Sequence, residues 1–159
     1  MKLRVGQGID VHPYEVGRVM RLCGVEIPCE VGLKGHSDAD AAIHALVDAL
    51  LGAAGKGDIG CLFPDTDPQW KGKESTYFLR TVWMMLRQEG WELQNIDLSI
   101  LAEKPKIKPY VEAMKKCLAS ILELDASQIG IKATTTERLG FVGREEGLVA
   151  SAVVLLSQN

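Results

Sequence analysis

Ser37-Asp38-Ala39-Asp40-Ala41-Ala42-Ile43-His44-Ala45-Leu46-Val47-Asp48-Ala49-Leu50-Leu51-Gly52-Ala53-Ala54 is the stretch on which the reading of this chain turns. Ser37 followed three residues later by Asp40 has the form of a capping box. It predicts a helix running to about Ala54, where Gly55 and Gly57 stop it. Asp40, His44 and Asp48 are spaced four apart, so each is turned about 40° from the last and the three share one stripe. Nearly every other residue of the helix is apolar. A helix greasy on most sides is buried, and a polar stripe along it must face groups that satisfy it.

On the N-terminal side, Leu3 to Val11 alternates like a strand, with Gly6 and Gly8 marking close approach by another backbone. Val19 to Ile27 reads as a second strand bent around Gly24, and Pro28 to Gly35 as a loop. On the C-terminal side a helix is predicted from about Glu74 to Gln88, a strand from Leu93 to Ala102 and a helix from about Pro109 to Glu123. Strands from Ile129 to Ala133 and Leu148 to Leu156 complete the order, separated by a polar loop. This succession suits an α+β, or mixed α/β, fold in which a single sheet carries helices on one face. No repeat, low-complexity tract or linker divides residues 1–159, which read as a single domain.

Composition narrows the function classes. A hydrophobic fraction of 47% and a charged fraction of 25% are those of an ordinary globular protein. A net charge of −3 argues against a DNA or RNA module, so no nucleic-acid partner is expected. The N-terminus lacks an apolar signal core and no stretch is long and apolar enough to span a bilayer, so no membrane partner is expected either. Cys23, Cys29, Cys61 and Cys117 form no close pair and read as reduced thiols, which points to a cytoplasmic or equivalent reducing compartment.

Two of the three histidines fall where chemistry is expected. Asp10 and His12, two apart on an extended segment, point to the same sheet face. A helix packed over that strand could add His44, giving one carboxylate and two imidazoles. That set suits a zinc ion whose fourth tetrahedral position stays open. Asp48 is placed to accept from the His44 ring and fix its tautomer. His36, beside the helix start, could serve as a fourth ligand, but its place favours donation to a phosphate oxygen. Ala133-Thr134-Thr135-Thr136-Glu137 offers three hydroxyls to phosphate oxygens and a hard oxygen ligand for Mg²⁺ or Mn²⁺. Lys104, Lys106 and Lys108 flank Pro105 in a loop able to wrap a base and hold phosphates by charge.

The strings GIDVH (8–12), HSDADAAIHALVDALLGAAGKGDIG (36–60), LFPDTDP (62–68) and KATTTERLGFVGREEG (132–147) resemble the 2-C-methyl-D-erythritol 2,4-cyclodiphosphate synthase family. They run from the first strand to the last. The resemblance implies a homotrimer with active sites between subunits, each holding one zinc and one magnesium or manganese ion. It implies conversion of 4-diphosphocytidyl-2-C-methyl-D-erythritol 2-phosphate to the cyclic diphosphate and CMP, a step of non-mevalonate isoprenoid biosynthesis. Carried over by motif, Asp10, His12 and His44 would hold zinc and Glu137 the second metal. His36 and Thr135 would steady the transferring phosphoryl group, with Ser37 alongside. Asp58, Ile59 and Gly60, with Phe63, Pro64, Asp65, Thr66 and Asp67, would line the erythritol pocket. Ala102, Glu103, Lys104, Pro105, Lys106, Ile107 and Lys108, with Thr134, Thr135, Thr136 and Glu137, would come from the adjoining subunit to hold the cytidine diphosphate portion. Phe141, Arg144 and Glu146 match the segment near the threefold axis, where a phosphate or isoprenoid diphosphate could sit. Gln7, Val142 and Glu145 depart from the usual histidine, threonine and smaller residue, and Glu145 beside Arg144 is expected to weaken anion binding there.

The chemistry stands without the family. A phosphate monoester is already largely dianionic at neutral pH, so its attack on a neighbouring diphosphate needs alignment and cations more than a strong general base. The alternatives are a zinc phosphoesterase releasing open-chain products, a non-catalytic nucleotide-binding module, and a structural zinc protein whose fourth position is closed.

Overall fold

A computed structural model of the chain describes residues 1–159. Five strands form the main sheet in the order β4-β1-β7-β5-β6: β1 (Lys2–Val16), β4 (Val31–Leu33), β5 (Glu92–Leu101), β6 (Ile129–Thr134) and β7 (Gly147–Gln158). Neighbours are antiparallel except β5 and β6, which run parallel with α4 (Val111–Leu122) as their crossover. β2 (Met20–Leu22) and β3 (Val25–Ile27) make a separate hairpin. Its turn is Cys23-Gly24, with both φ angles positive at 50° and 75°, the backbone that a tight two-residue hairpin demands. The remaining helices are α1 (Ala41–Ala53), α2 (Ile59–Leu62), α3 (Ser75–Gln88) and α5 (Gly140–Gly143).

The helix layer covers one face of the sheet. α1 lies directly on β1 and β7, α3 packs over α1, and α4 covers β6. Alternate residues of β7, Leu148, Ala150, Ala152, Val154 and Leu156, are fully or nearly fully buried beneath them and join Ile96, Leu98 and Ile100 of β5 in one continuous core. On the other face Leu3, Val5, Ile9 and Val11 keep 50% or more of their surface exposed, so no element of this chain covers that side.

Gly6 and Gly8 do what their spacing implies. A Cβ on Gly6 would lie 1.9 Å from the Ala49 carbonyl oxygen, and one on Gly8 would lie 1.9 Å from that of Ala45. The helix therefore rests backbone to backbone on the strand, and the next residues on the same face, Asp10 and His12, fall beneath its first turns.

Three sequence expectations need correction. The helix starts at Ala41 with Asp40 as its cap, not Ser37. Asp40 accepts from Ile43 N at 3.0 Å and also from Cys23 N at 3.0 Å and Gly24 N at 2.7 Å. Its carboxylate thus clamps the hairpin turn to the helix, while Ser37 Oγ takes Ala39 N at 3.2 Å. Pro28 to Gly35 contains β4, whose register on Tyr14 to Val16 a sequence this short cannot announce. Val19 to Ile27 is not one bent strand, because its two halves pair with each other as β2 and β3 across the Cys23-Gly24 turn. Beyond Gly57 the chain winds into α2, capped by Asp58 through Cys61 N at 3.1 Å.

Candidate metal centre and substrate pockets

Asp10, His12 and His44 are the one group of side chains placed to hold a metal ion. Asp10 Oδ2 lies 2.7 Å from His12 Nε2 and 3.4 Å from His44 Nδ1, yet it is buried without an aligned hydrogen bond to either ring. All three ligand atoms lie within 4.8 Å of one another. Such a convergence of lone pairs is costly unless a cation sits among them, so the donor set fits a divalent metal.

The ring nitrogens not used at this point are already taken. His12 Nδ1 donates to the Lys34 carbonyl at 2.7 Å, which leaves Nε2 facing the centre. Gly35 lets the ring sit there, because a Cβ at that position would meet His12 Cε1 at 3.0 Å. Arg18 braces the same loop by donating to the Gly35 and Ser37 carbonyls, each at 3.0 Å. His44 Nε2 is 2.8 Å from Ser75 Oγ and 3.2 Å from Ser37 Oγ, which leaves Nδ1 for the centre. Burial pushes the Asp10 carboxyl up, but the two imidazoles beside it outweigh that and hold it below its ordinary value. Burial pushes His12 down, and the Asp10 carboxylate with the Lys34 carbonyl reverses this and raises it.

The role expected of Asp48 is corrected here. Its carboxylate accepts from Ile59 N at 2.7 Å, so it anchors the start of α2, and burial raises its pKa. Ser75 occupies the nitrogen that Asp48 was expected to orient. His36 is likewise not a fourth ligand: its Nε2 donates to the Asp67 carbonyl at 3.0 Å.

The triad lies in an open cavity of about 420 Å³, also lined by Gly35, His36, Ser37, Ile59, Gly60, Phe63, Pro64, Asp65, Trp70 and Phe78. Asp58, Thr66 and Asp67 lie on the same loops outside the lining, where Asp67 caps a short turn through Gln69 N. Trp70 and Phe78 are wall residues that sequence reasoning missed. Trp70 meets Phe63 edge to face and Phe78 meets it at a tilt, at centroid distances of 5.1 and 4.6 Å, an apolar wall set by tertiary contact rather than by any motif.

A second cavity, of about 660 Å³, is lined by Ala102, Glu103, Pro105, Lys106, Ile107, Lys108, Pro109, Ala133, Thr134 and Thr135. The lysine trio divides. Lys106 and Lys108 have no carboxylate partner, whereas Lys104 turns away to Glu30 at 2.9 Å and Glu145 at 3.1 Å. Thr136 Oγ1 donates to the Leu139 carbonyl and lies outside the lining, and Glu137 is exposed with φ 54°. Phe141 lies on α5, and Arg144 just after it pairs with Glu146 at 3.0 Å. Glu145 engages Lys104 and Arg138, so it is Glu146 that offsets the Arg144 charge, not Glu145 as expected.

Fold and site together define a mixed α/β protein that sets two imidazoles and one carboxylate at the floor of an open cavity, with no fourth protein donor. A family model for the YgbB family matches residues 3–157, and the chain belongs to that family. It is 56% identical over 156 residues to a 2-C-methyl-D-erythritol 2,4-cyclodiphosphate synthase of Geobacillus thermodenitrificans, covering 98% of each chain. It superimposes on the bifunctional IspDF of Campylobacter jejuni with a TM-score of 0.96 and 45% identity, covering 99% of this chain and 43% of that longer one. A CDP-bound 2C-methyl-D-erythritol-2,4-cyclodiphosphate synthase matches with a TM-score of 0.89 and 44% identity, over 97% of this chain and 100% of the other.

Proposed function

We propose that this chain is a lyase converting 4-diphosphocytidyl-2-C-methyl-D-erythritol 2-phosphate to 2-C-methyl-D-erythritol 2,4-cyclodiphosphate and CMP, in the cytoplasm, for isoprenoid precursor synthesis. The observation that carries this reading is the convergence of Asp10 Oδ2, His12 Nε2 and His44 Nδ1 at the floor of a cavity with an open side. When bound there, zinc would supply Lewis-acid withdrawal of charge from a phosphoryl oxygen.

The chain's own residues have the remaining work. The Phe63, Trp70 and Phe78 wall encloses the methylerythritol carbon skeleton, and Gly60 leaves the main chain bare for its hydroxyls. Main-chain groups from Ala102 to Lys108 receive cytosine, while Lys106, Thr134 and Thr135 hold the diphosphate. Glu137 would present a carboxylate to a magnesium or manganese ion. With both ends held, the 2-phosphate dianion approaches the β-phosphorus in line and CMP departs, with no strong base required.

The two cavities lie at the same end of the sheet, since His12 pairs with Leu148 while Leu101 pairs with Val149 and Thr134. A homotrimer in which the second cavity of one subunit faces the metal centre of the next is part of the proposal. It is supported by the uncovered apolar face of β1, extended on β7 by Val153, 41% exposed. Phe141 and Arg144 would then lie near the threefold axis, within reach of a phosphate or isoprenoid diphosphate.

Phosphorus NMR of the protein with this substrate, Zn²⁺ and Mg²⁺ tests the reaction. A cyclic diphosphate should appear with equimolar CMP, and open-chain phosphates in its place would make the protein a phosphoesterase.

A further inference from the structure

Asp38 and Ser75 stand 37 positions apart in sequence and meet behind the metal centre. Ser75 opens α3 and is completely buried, and Glu74 before it makes no side-chain cap. Asp38 grips Ser75 twice. Its Oδ2 accepts the Ser75 main-chain N–H at 3.0 Å, and its Oδ1 accepts the Ser75 hydroxyl. A carboxylate can only accept, so the single Ser75 hydroxyl proton is spent on Asp38. The Ser75 oxygen is thereby left as an acceptor, and it lies 2.8 Å from His44 Nε2. Proton polarity runs one way along the chain, from His44 Nε2–H to Ser75 Oγ and from Ser75 Oγ–H to Asp38.

We infer that Asp38 and Ser75 are positioning residues for the metal centre: the Asp38-Ser75 relay holds His44 as its Nε2–H tautomer, with the Nδ1 lone pair directed at Asp10 and His12. The inference rests on the metal-centre reading above and deepens it. It also explains why the polar stripe of α1 does not orient its own histidine: Asp48 is committed to Ile59, and the orienting carboxylate comes from before the helix through a serine on another one.

The relay arm and the cap arm can be separated by mutation. Ser75→Ala keeps the N–H that Asp38 Oδ2 accepts and deletes only the hydroxyl. Ser37 Oγ, 3.2 Å from the same nitrogen, is the reserve acceptor, so Ser37→Ala/Ser75→Ala removes both. Asp38→Asn does something different. Oδ2 takes the Ser75 N–H at 3.0 Å whereas Oδ1 takes the Asp40 N–H at the longer 3.2 Å, so the amide keeps its oxygen on Ser75 N, gives up the Asp40 contact and turns its NH₂ toward Ser75 Oγ. Ser75 must then donate to His44 Nε2, and the ring is forced to protonate Nδ1, the atom the metal needs.

The test is zinc affinity, measured by competition with a chromophoric chelator, together with ¹⁵N long-range correlation spectra of the His44 ring in the metal-free protein. Neither readout involves substrate, so failure here is distinct from failure to form the cyclic product. Ser37→Ala/Ser75→Ala should bind zinc about tenfold to a hundredfold more weakly, the usual cost of losing a group behind a ligand. Asp38→Asn should lose at least as much and shift His44 toward the Nδ1–H form, and Ser75→Thr should stay near the parent. On a Ser75→Ala background Asp38→Asn should cost little further, because the reversed donor is gone. Unchanged zinc affinity and unchanged tautomer in both Asp38→Asn and the double alanine variant would overturn the inference and leave Asp38 as a helix cap.

Discussion

The two cavities are built in opposite ways. Around the metal centre almost every polar group is already committed: Asp40 to the hairpin turn and helix start, Asp48 to Ile59, Asp38 to Ser75, His12 to Lys34 and His44 to Ser75. The second cavity is an open trough in which Lys106 and Lys108 have no carboxylate partner and Thr134 and Thr135 are exposed. A site that must hold lone pairs together against their repulsion needs a rigid surround, since each uncompensated atom is expensive. A site that receives a flexible, charged nucleotide gains from free donors that the ligand itself satisfies. The first takes all three of its donors from one chain; the second leaves its donors free for a ligand.

Four experiments would break or sharpen that contrast. His44→Ala should have the largest effect, lowering kcat/KM by more than about a thousandfold, or roughly 4 kcal/mol, while circular dichroism stays that of the parent. A variant that failed to fold would make the centre structural and erase the distinction. Gly8→Ala comes next. Its methyl group would have to displace the helix from the strand, so a loss of about 3 kcal/mol in denaturant unfolding is expected, with weaker metal binding in parallel.

The third concerns the buried clamp. Burial pushes the Asp40 carboxyl up to about 6 despite its main-chain hydrogen bonds. Because the folded-state value lies above the unfolded one of about 4, the protonated form is favoured on folding. The stabilising contribution is full below pH 4 and is lost as pH rises through about 6. Thermal midpoints across that window should carry this falling component in the parent and lose it in Asp40→Asn. Identical slopes would mean that burial does not raise the Asp40 carboxyl through this window. The smallest effect is expected beside the open cavity, two residues beyond Thr135: Glu137→Gln should raise the magnesium concentration for half-maximal rate about tenfold, roughly 1.4 kcal/mol, with unfolding unaffected. Unchanged magnesium dependence would remove Glu137 from the second metal site.

Much of the fold was legible. The periodicities of α1, α3, β5 and β7 placed those elements within a few residues of where they lie, because long amphipathic runs leave few ways to bury their apolar side chains. Gly6 and Gly8 announced the close packing of strand and helix. Spacing put Asp10 and His12 on one face, while His44 joined them only on the expectation of a helix packed over that strand, which α1 fulfils. β4 went unread: three residues carry too little pattern, and its partner, the end of β1, lies fifteen or more positions away in sequence. Trp70 and Phe78 went unread as cavity walls because an aromatic in a loop or a helix looks the same whether it packs inward or frames a cavity.

The sequence by itself determined the local facts: which segments alternate, where a helix must be buried, and which residue types could grip a metal ion and a phosphate chain. These follow from short-range sterics and from the period of apolar residues. Only the tertiary structure decided which carboxylate serves which partner. Asp38, Asp40 and Asp48 are chemically identical and lie within eleven positions, yet one reaches Ser75, one the Cys23-Gly24 turn and one Ile59. Hydrogen bonds act over about 3 Å, so their pairing is settled by how helices and hairpins are brought together in space, which spacing along the chain does not encode.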